Sequence, residues 1–285
     1  MDINGKTRLT ALLGHPVEHS ISPAMHNMAF SLLGLDYVYL AFDVLPENLI
    51  GAVQGLKSCN IAGFNLTMPH KEAVLEFMDE LTLGARICGA ANTVINKDGR
   101  LTGHTTDGTG YMRSLEDADV DIIGKKMTIL GVGGAAKAII SQAAIDGVKE
   151  ISIFVREGSM AKAERFADRV NDNTECEVRV YDLADKRKLV ECMDESAILT
   201  NATNVGMEPD ADKALFTGFS EMKKELVVSD IIYHPRQTKM LKCAADCGLK
   251  TVNGLYMLLY QGAAAFECWT GHEMPVAEIK EKYFT

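Results

Sequence analysis

One stretch limits the choice of folds more than any other: Lys125–Ile140, KKMTILGVGGAAKAII. Met127–Leu130 is a short apolar run of the kind a buried parallel strand shows. Gly131, Gly133 and Ala136 follow as G-x-G-x-x-A, and Ala135–Ala144 reads as a helix of small residues. The first glycine makes the tight strand-to-helix turn, and the second lets a pyrophosphate approach the backbone. The third small residue lets helix and strand pack closely, while free N–H groups at the helix start receive negative charge. With Ile151–Val155 as the next strand, the segment predicts a dinucleotide-binding βαβ unit. The competing reading is a glycine-rich turn in some other α/β protein.

At 285 residues the chain is long for one core and comfortable for two. A net charge of −10 argues against nucleic acid as a partner, because phosphates reward clustered Lys and Arg. No apolar run approaches the roughly 20 residues of a spanning helix, and Met1–Thr10 lacks the apolar centre of a signal peptide. The 7 cysteines are scattered with no C-x-x-C. Cys243 and Cys247 share a helical face, but two thiolates alone make a poor metal site, so they are read as helix packing. These features predict a cytoplasmic protein without metal or membrane partner.

Along the chain, Leu9–Leu13 reads as a strand that breaks at Gly14-His15-Pro16. Ser22 suits an N-cap and Pro23 a first helical position, giving a helix from about Pro23 to Leu33 and leaving Ser20 free. Tyr37–Val44 reads as a strand, Pro46–Lys57 as a helix and Ile61–Thr67 as another strand. Pro69 is read as starting a further helix, which puts Lys71 in its first turn. A cation there faces the positive end of the macrodipole, where carboxylates are favoured. A solvated surface lysine remains the plainer reading from spacing alone. Lys97-Asp98-Gly99 marks a hairpin, whose second strand reaches the polar, glycine-bounded cluster Gly103–Gly108.

After the glycine turn, five further strands are expected at Ile151–Val155, Glu177–Tyr181, Ala197–Ala202, Leu226–Tyr233 and Leu249–Val252. Helices at Ser159–Val170, Lys186–Met193 and Thr238–Cys247 separate most of them. Six strands in largely βα order are the count for a doubly wound parallel sheet. Arg156 and Glu157 fall where such a fold reads the adenosine ribose. Leu255–Trp269 reads as a long apolar helix interrupted by Gln261.

The segments Ser20–Pro23, Asn65–Lys71, Gly89–Thr93, Gly103–Gly108, Gly131–Ala135, Asn201–Met207, Tyr233–Thr238 and Gly254–Gly271 together resemble the shikimate/quinate dehydrogenase family, nearly end to end. The resemblance implies an α/β substrate domain over 1–108 and a Rossmann-type doubly wound domain over 109–254. C-terminal helices over 255–285 would return to the first domain, with the site in the cleft between the two. It further implies that Ser20 and Ser22 hold a substrate carboxylate, and that Lys71, Asn92 and Asp107 surround the hydroxyl being oxidised. Thr67, Thr106, Tyr233 and Gln261 would complete the substrate pocket. Gly131, Gly133, Gly134, Ala135, Arg156, Glu157, Thr203, Val205, Met207, Gly254 and Met257 would bind the cofactor. Thr105 stands where the family commonly has Asn.

The chemistry of these residues agrees with the resemblance. Oxidising a secondary alcohol sends hydride to nicotinamide while a base takes the hydroxyl proton, and a lysine serves when its surroundings favour the neutral amine. The expected activity is NAD(P)-dependent oxidation of shikimate or quinate, small cyclic polyhydroxy carboxylates, with Lys71 and Asp107 as catalytic pair. An aminoshikimate dehydrogenase and a non-catalytic dinucleotide-binding regulator stay open, as do quinate against shikimate and a homodimeric state. NADP-specific members resemble an Asn-Arg-Thr pattern where this chain has Val155-Arg156-Glu157. Glu157 would repel a 2′-phosphate and accept hydrogen bonds from an unmodified ribose, so NAD is the expected preference, with NADP as second cofactor.

Overall fold

The computed structural model describes residues 3–284. The chain divides into two compact units, one taking the residues up to Gly110 and again from Leu259, the other Tyr111–Leu258. In chain order the first unit contains β1 (Arg8–Gly14), α1 (Ser22–Leu33), β2 (Tyr37–Asp43), α2 (Leu49–Ser58) and β3 (Gly63–Leu66). It continues through β4 (Glu80–Leu81), α3 (Leu83–Cys88), β5 (Thr93–Lys97) and β6 (Arg100–His104). The helix α4 (Asp107–Asp117) carries the chain into the second unit. There follow β7 (Lys126–Leu130), α5 (Gly134–Asp146), β8 (Glu150–Val155), α6 (Met160–Asn171), β9 (Glu177–Asp182) and α7 (Lys186–Glu195). The last elements are β10 (Ile198–Asn201), β11 (Val227–Asp230), α8 (Lys239–Asp246), β12 (Thr251–Val252), α9 (Leu255–Thr270) and α10 (Val276–Tyr283).

The first unit's sheet has the order β2-β1-β3-β5-β6-β4. β1 runs parallel to β2 and β3, and β4 parallel to β6, while β5 is antiparallel to both its neighbours. One reversed strand therefore puts its own beginning beside the ends of β3 and β6: Thr93 pairs with Asn65 on one side and His104 on the other. The turn that reverses it is Asp98-Gly99, both with positive φ (52° and 82°), the geometry of a tight hairpin whose twist matches its strands. The core beneath gathers Leu13, Val53, Ile61, Phe64, Val74 and Val94.

The second unit's sheet is parallel throughout, with order β12-β11-β10-β7-β8-β9. This is the doubly wound arrangement, in which the strand order reverses beside β7 and leaves a crevice at the strands' carboxyl ends. Its buried strands read as apolar runs because helices cover the sheet, α6 against β8 and β9, α7 against β7 and α8 against β11 and β12. Cys243 and Cys247 pack against the core there. Among the described residues no helix is long and apolar enough to cross a membrane, and no group of three or more metal-binding side chains assembles.

Three local expectations are corrected. Residues 69–72 form turns and Ala73–Phe77 a short 3-10 segment, so Lys71 does not stand in the first turn of an α-helix. The Lys71 carbonyl instead accepts from Ala91 N–H (2.8 Å), which commits that backbone to a neighbouring segment. Ser22 opens α1 without capping it; the N-cap is Ile21, with no side-chain cap. Ser20 is not free, since its Oγ accepts the Ser22 backbone N–H (3.2 Å). Asp107 itself opens a helix, α4, where the dipole favours a carboxylate.

Helix α1 buries His26 in an aromatic cluster of the first unit, stacked on Tyr39 at 4.4 Å between centroids with Trp269 at 5.4 Å. Neither ring nitrogen has a hydrogen-bond partner, and burial lowers the imidazole pKa to about 3. The unfolded chain, titrating near 6.5, therefore binds a proton that the folded chain refuses over this interval. His26 contributes nothing adverse above about pH 6.5, and below it stability falls by up to about 1.4 kcal/mol per pH unit. In urea unfolding measured against pH, His26→Phe is expected to flatten this slope between about pH 6.5 and 4 by one proton's worth. Equal slopes in the two proteins would show that another group governs acid lability.

Candidate active site

At the sheet edge where β5 begins, the first unit assembles a continuous polar network around Asn92. The Asn92 amide is oriented by the backbone N–H of Thr106, which donates to Oδ1 at 2.7 Å. That leaves Nδ2 to face Asp107 Oδ1 (2.8 Å), Thr106 Oγ1 (3.0 Å) and Gln261 Oε1 (3.3 Å). An amide nitrogen carries two hydrogens, so three acceptors must share them. Asp107 turns its other oxygen to Lys71, whose Nζ donates at 2.6 Å. The lysine side chain is 32% exposed and the carboxylate 14%, so the ion pair is held at a boundary that a small molecule can reach.

A second chain of bonds runs from this cluster to the turn before α1. Asn65 Nδ2 donates to Thr93 Oγ1 (2.9 Å) and to the Asn92 carbonyl (3.1 Å). Tyr39, fully buried, donates its hydroxyl to Asn65 Oδ1 (2.8 Å), and Ser22 hydrogen-bonds the same phenol. Burial pushes the Tyr39 phenol far above its ordinary range and keeps it a donor. Lys71, Asn92, Thr106, Asp107 and Gln261 are thus brought together directly, and Ser22 joins them through Tyr39 and Asn65. Ser20 sits beside Ser22 through its backbone bond, while Thr67 follows β3 and bonds through its N–H to Leu13 (3.0 Å). Tyr233 belongs to the second unit and is 50% exposed there.

Sequence reasoning named neither Tyr39 nor Asn65 as a site residue. Asn65 is a polar residue at the end of an otherwise apolar strand, a signal the sequence does carry. Tyr39 sits in a β-rich run where an aromatic residue needs no explanation, so nothing marked its hydroxyl.

The second unit presents the glycine turn. Gly131 has φ +108°, and a Cβ there would lie 2.8 Å from Thr203 Cγ2 and 3.0 Å from the Ala202 carbonyl oxygen. Gly133 is the N-cap of α5 without a side-chain cap, and a Cβ at Gly133 or Gly134 would meet no protein atom within 4 Å. The first-turn N–H groups of Gly134 and Ala135 have no helical acceptor, and the exposed Gly133 and Gly134 leave room beside them, which fits an anionic pyrophosphate. Thr203 and Val205 form a folded loop: Thr203 N–H and Oγ1 donate to Asn201 Oδ1, and Val205 N–H donates to Thr203 Oγ1. Met207 ends this loop, 44% exposed. Exposed Arg156 leaves the end of β8, and Glu157 begins a 3-10 turn, where both can meet the adenosine half of a dinucleotide. Gly254 cannot be anything larger, since a Cβ would lie 1.8 Å from the Ile231 carbonyl oxygen, and Met257 follows on α9, half-buried. The residues present fit a nicotinamide dinucleotide.

A doubly wound dinucleotide unit joined to an α/β unit with a lysine–carboxylate–amide cluster has the parts of a nicotinamide-dependent dehydrogenase. The comparisons narrow this further. Residues 12–94 match the family model described as the shikimate dehydrogenase substrate binding domain, and 254–282 the shikimate 5'-dehydrogenase C-terminal domain. A shikimate dehydrogenase (NADP(+)) of Listeria monocytogenes is 51% identical over 283 residues, 99% of this chain and 97% of the relative. The chain belongs to the shikimate dehydrogenase family. A crystal structure of shikimate 5-dehydrogenase from Listeria monocytogenes with shikimate and NAD superposes with a TM-score of 0.95 at 51% identity, covering 99% of this chain and 98% of that one. Quinate dehydrogenase from Corynebacterium glutamicum in complex with NAD gives 0.86 at 29% identity, over 98% and 99% of the two chains.

The geometry at Gly131 makes a direct test. Gly131→Ala adds a methyl against Thr203 in a backbone conformation that L-residues avoid, and is expected to destabilise the protein by about 1–3 kcal/mol. Calorimetry checks the magnitude, and dinucleotide binding should weaken in the same protein. An unchanged Tm would mean the turn relaxes freely.

Proposed function

We propose that this chain catalyses the reversible oxidation of shikimate to 3-dehydroshikimate with NAD(P), with quinate as a candidate second substrate. When bound, the dinucleotide supplies the hydride acceptor, or the donor in the reverse direction. Lys71 Nζ, as the neutral amine, takes the hydroxyl proton as the C–H bond breaks, and as the ammonium returns it in the reverse reaction. Asp107 holds the lysine at 2.6 Å and is itself fixed by Asn92, so the proton-transfer group is aimed before substrate arrives. Ser20 and Ser22 would hold the carboxylate, with Thr67, Gln261, Thr106 and Tyr233 completing recognition of the polyol. The observation that carries the reading is the Lys71–Asp107–Asn92 cluster, in a chain 51% identical to a shikimate dehydrogenase across its length.

A steady-state matrix of shikimate and quinate against NAD and NADP tests the activity; absence of turnover in all four combinations would return the chain to the regulator reading. Within it, Lys71→Ala is expected to lower kcat by about 10²–10⁴ with dinucleotide binding intact. If KM alone rises, Lys71 is a substrate anchor and the proton acceptor lies elsewhere.

For the cofactor we infer a bias toward NAD. Glu157 supports it: a carboxylate about 4 Å from a phosphate costs roughly 1 kcal/mol in water and up to about 4 near a protein surface. Arg156, its neighbour, can stack on adenine or pair with a phosphate, and so serves both dinucleotides. The Listeria relative named for NADP(+) and the Listeria structure holding NAD make the comparison of both necessary. Glu157→Thr is expected to raise kcat/KM for NADP relative to NAD by about fivefold or more. A ratio that does not move would remove Glu157 from cofactor choice.

A further inference from the structure

Asp230, the last residue of β11, is fully buried, and its carboxylate collects bonds from neutral donors. Asn201 Nδ2 reaches both oxygens at 3.1 Å, Ile232 N–H donates to Oδ1 at 3.1 Å, and Thr238 Oγ1 donates to Oδ2 at 2.8 Å. These partners come from three segments: the end of β10, the turn after β11 and the residue that caps α8. Asn201 passes the constraint on. Its Nδ2 also donates to the Val205 carbonyl (3.1 Å), and its Oδ1 accepts from Thr203 N–H (3.1 Å) and Oγ1 (2.7 Å). Thr203 in turn is the side chain that stands against Gly131 in the glycine turn.

We propose that Asp230 is the positioning residue for the dinucleotide-facing surface of the second unit, fixing the Thr203–Val205 loop through Asn201 while Thr238 steadies the carboxylate. The inference rests on the dinucleotide reading above and names a residue that no part of that reading uses. The polarity of the network requires the ionised acid. Asn201 cannot turn its oxygen toward Asp230, because that oxygen is held by Thr203. The Ile232 N–H can only donate, so a carboxylate accepts from every neighbour, while a neutral acid brings a proton that its main partners cannot take. Burial pushes this carboxyl up to about 6, so holding it ionised at neutral pH works against folding stability. A residue kept against the stability of the fold, at the carboxyl ends of the strands where a dinucleotide binds, is best explained by what it positions.

The experiment measures NAD and NADP dissociation constants directly, by quenching of protein fluorescence, alongside KM for shikimate. Asp230→Asn is expected to weaken dinucleotide binding by about tenfold, the worth of about one well-placed hydrogen bond, while KM for shikimate stays within about twofold. Thr238→Val keeps the carboxylate but removes one donor and should move binding in the same direction, and Thr238→Ser should restore it. This second series carries the test if Asp230→Asn does not fold. Unchanged dinucleotide affinity in folded Asp230→Asn or Thr238→Val overturns the proposal. So does a shikimate KM that rises as far as the dinucleotide constant, since a purely structural defect would spread in that way. A wild type that binds neither dinucleotide would instead overturn the reading on which the proposal stands.

Discussion

The side-chain amide of Asn92 is the point on which the first unit's chemistry turns. One backbone N–H, that of Thr106, decides which end of the amide is oxygen, and every other direction in the cluster follows. The nitrogen must then face Asp107, one carboxylate oxygen is occupied, and the other is left for Lys71. A buried amide left without such a partner costs about 1–3 kcal/mol, so the arrangement is enforced by desolvation as much as by attraction. The lysine is aimed because its partner is aimed.

The second unit solves the same problem with the same side chain. Asn201, at the end of β10, binds a carboxylate through its nitrogen and a loop N–H through its oxygen, as Asn92 does after α3. An amide is suited to this place because it donates and accepts within one rigid plane, so it can join two loops whose backbone groups have opposite polarity. Hydroxyls fill in around it: Thr93 and Thr106 in one unit, Thr203 and Thr238 in the other.

Much of this was legible in the sequence, for identifiable reasons. Buried parallel strands leave apolar runs, so β7, β8, β10 and β11 were readable at once, and the glycine turn and Asp98-Gly99 hairpin carry conformations few other residues tolerate. Helix α4 drew no assignment: DGTGYMRSLED has two glycines within its first four residues, and glycine disfavours a helix interior. The segment after Pro69 was read as helix because proline favours a first turn, yet the Lys71 carbonyl is committed across to Ala91. The assignment of Ser22 as a cap followed a sound preference, but the helix starts one residue earlier, with Ile21 at the N-cap, and the Ser22 N–H is taken by Ser20 Oγ. Asp107 and Lys71 were legible through resemblance. That they touch, and that Tyr39 and Asn65 tie them to Ser22, depends on contacts between residues tens of positions apart, which no local pattern encodes.

The reversed strand β5 has a consequence for how the first unit can vary. Its start lies among the reactive groups, while its far end is the exposed Asp98-Gly99 turn, five residues away and so about 16 Å along the strand. Chemistry and tolerance of change occupy opposite ends of one hairpin. A tag, a fluorophore or a few extra residues placed at that turn would report on the sheet without entering the hydrogen-bonded cluster. The same separation gives lineages of this fold a free edge on which to acquire new contacts while the lysine, the amide and the carboxylate stay where they are.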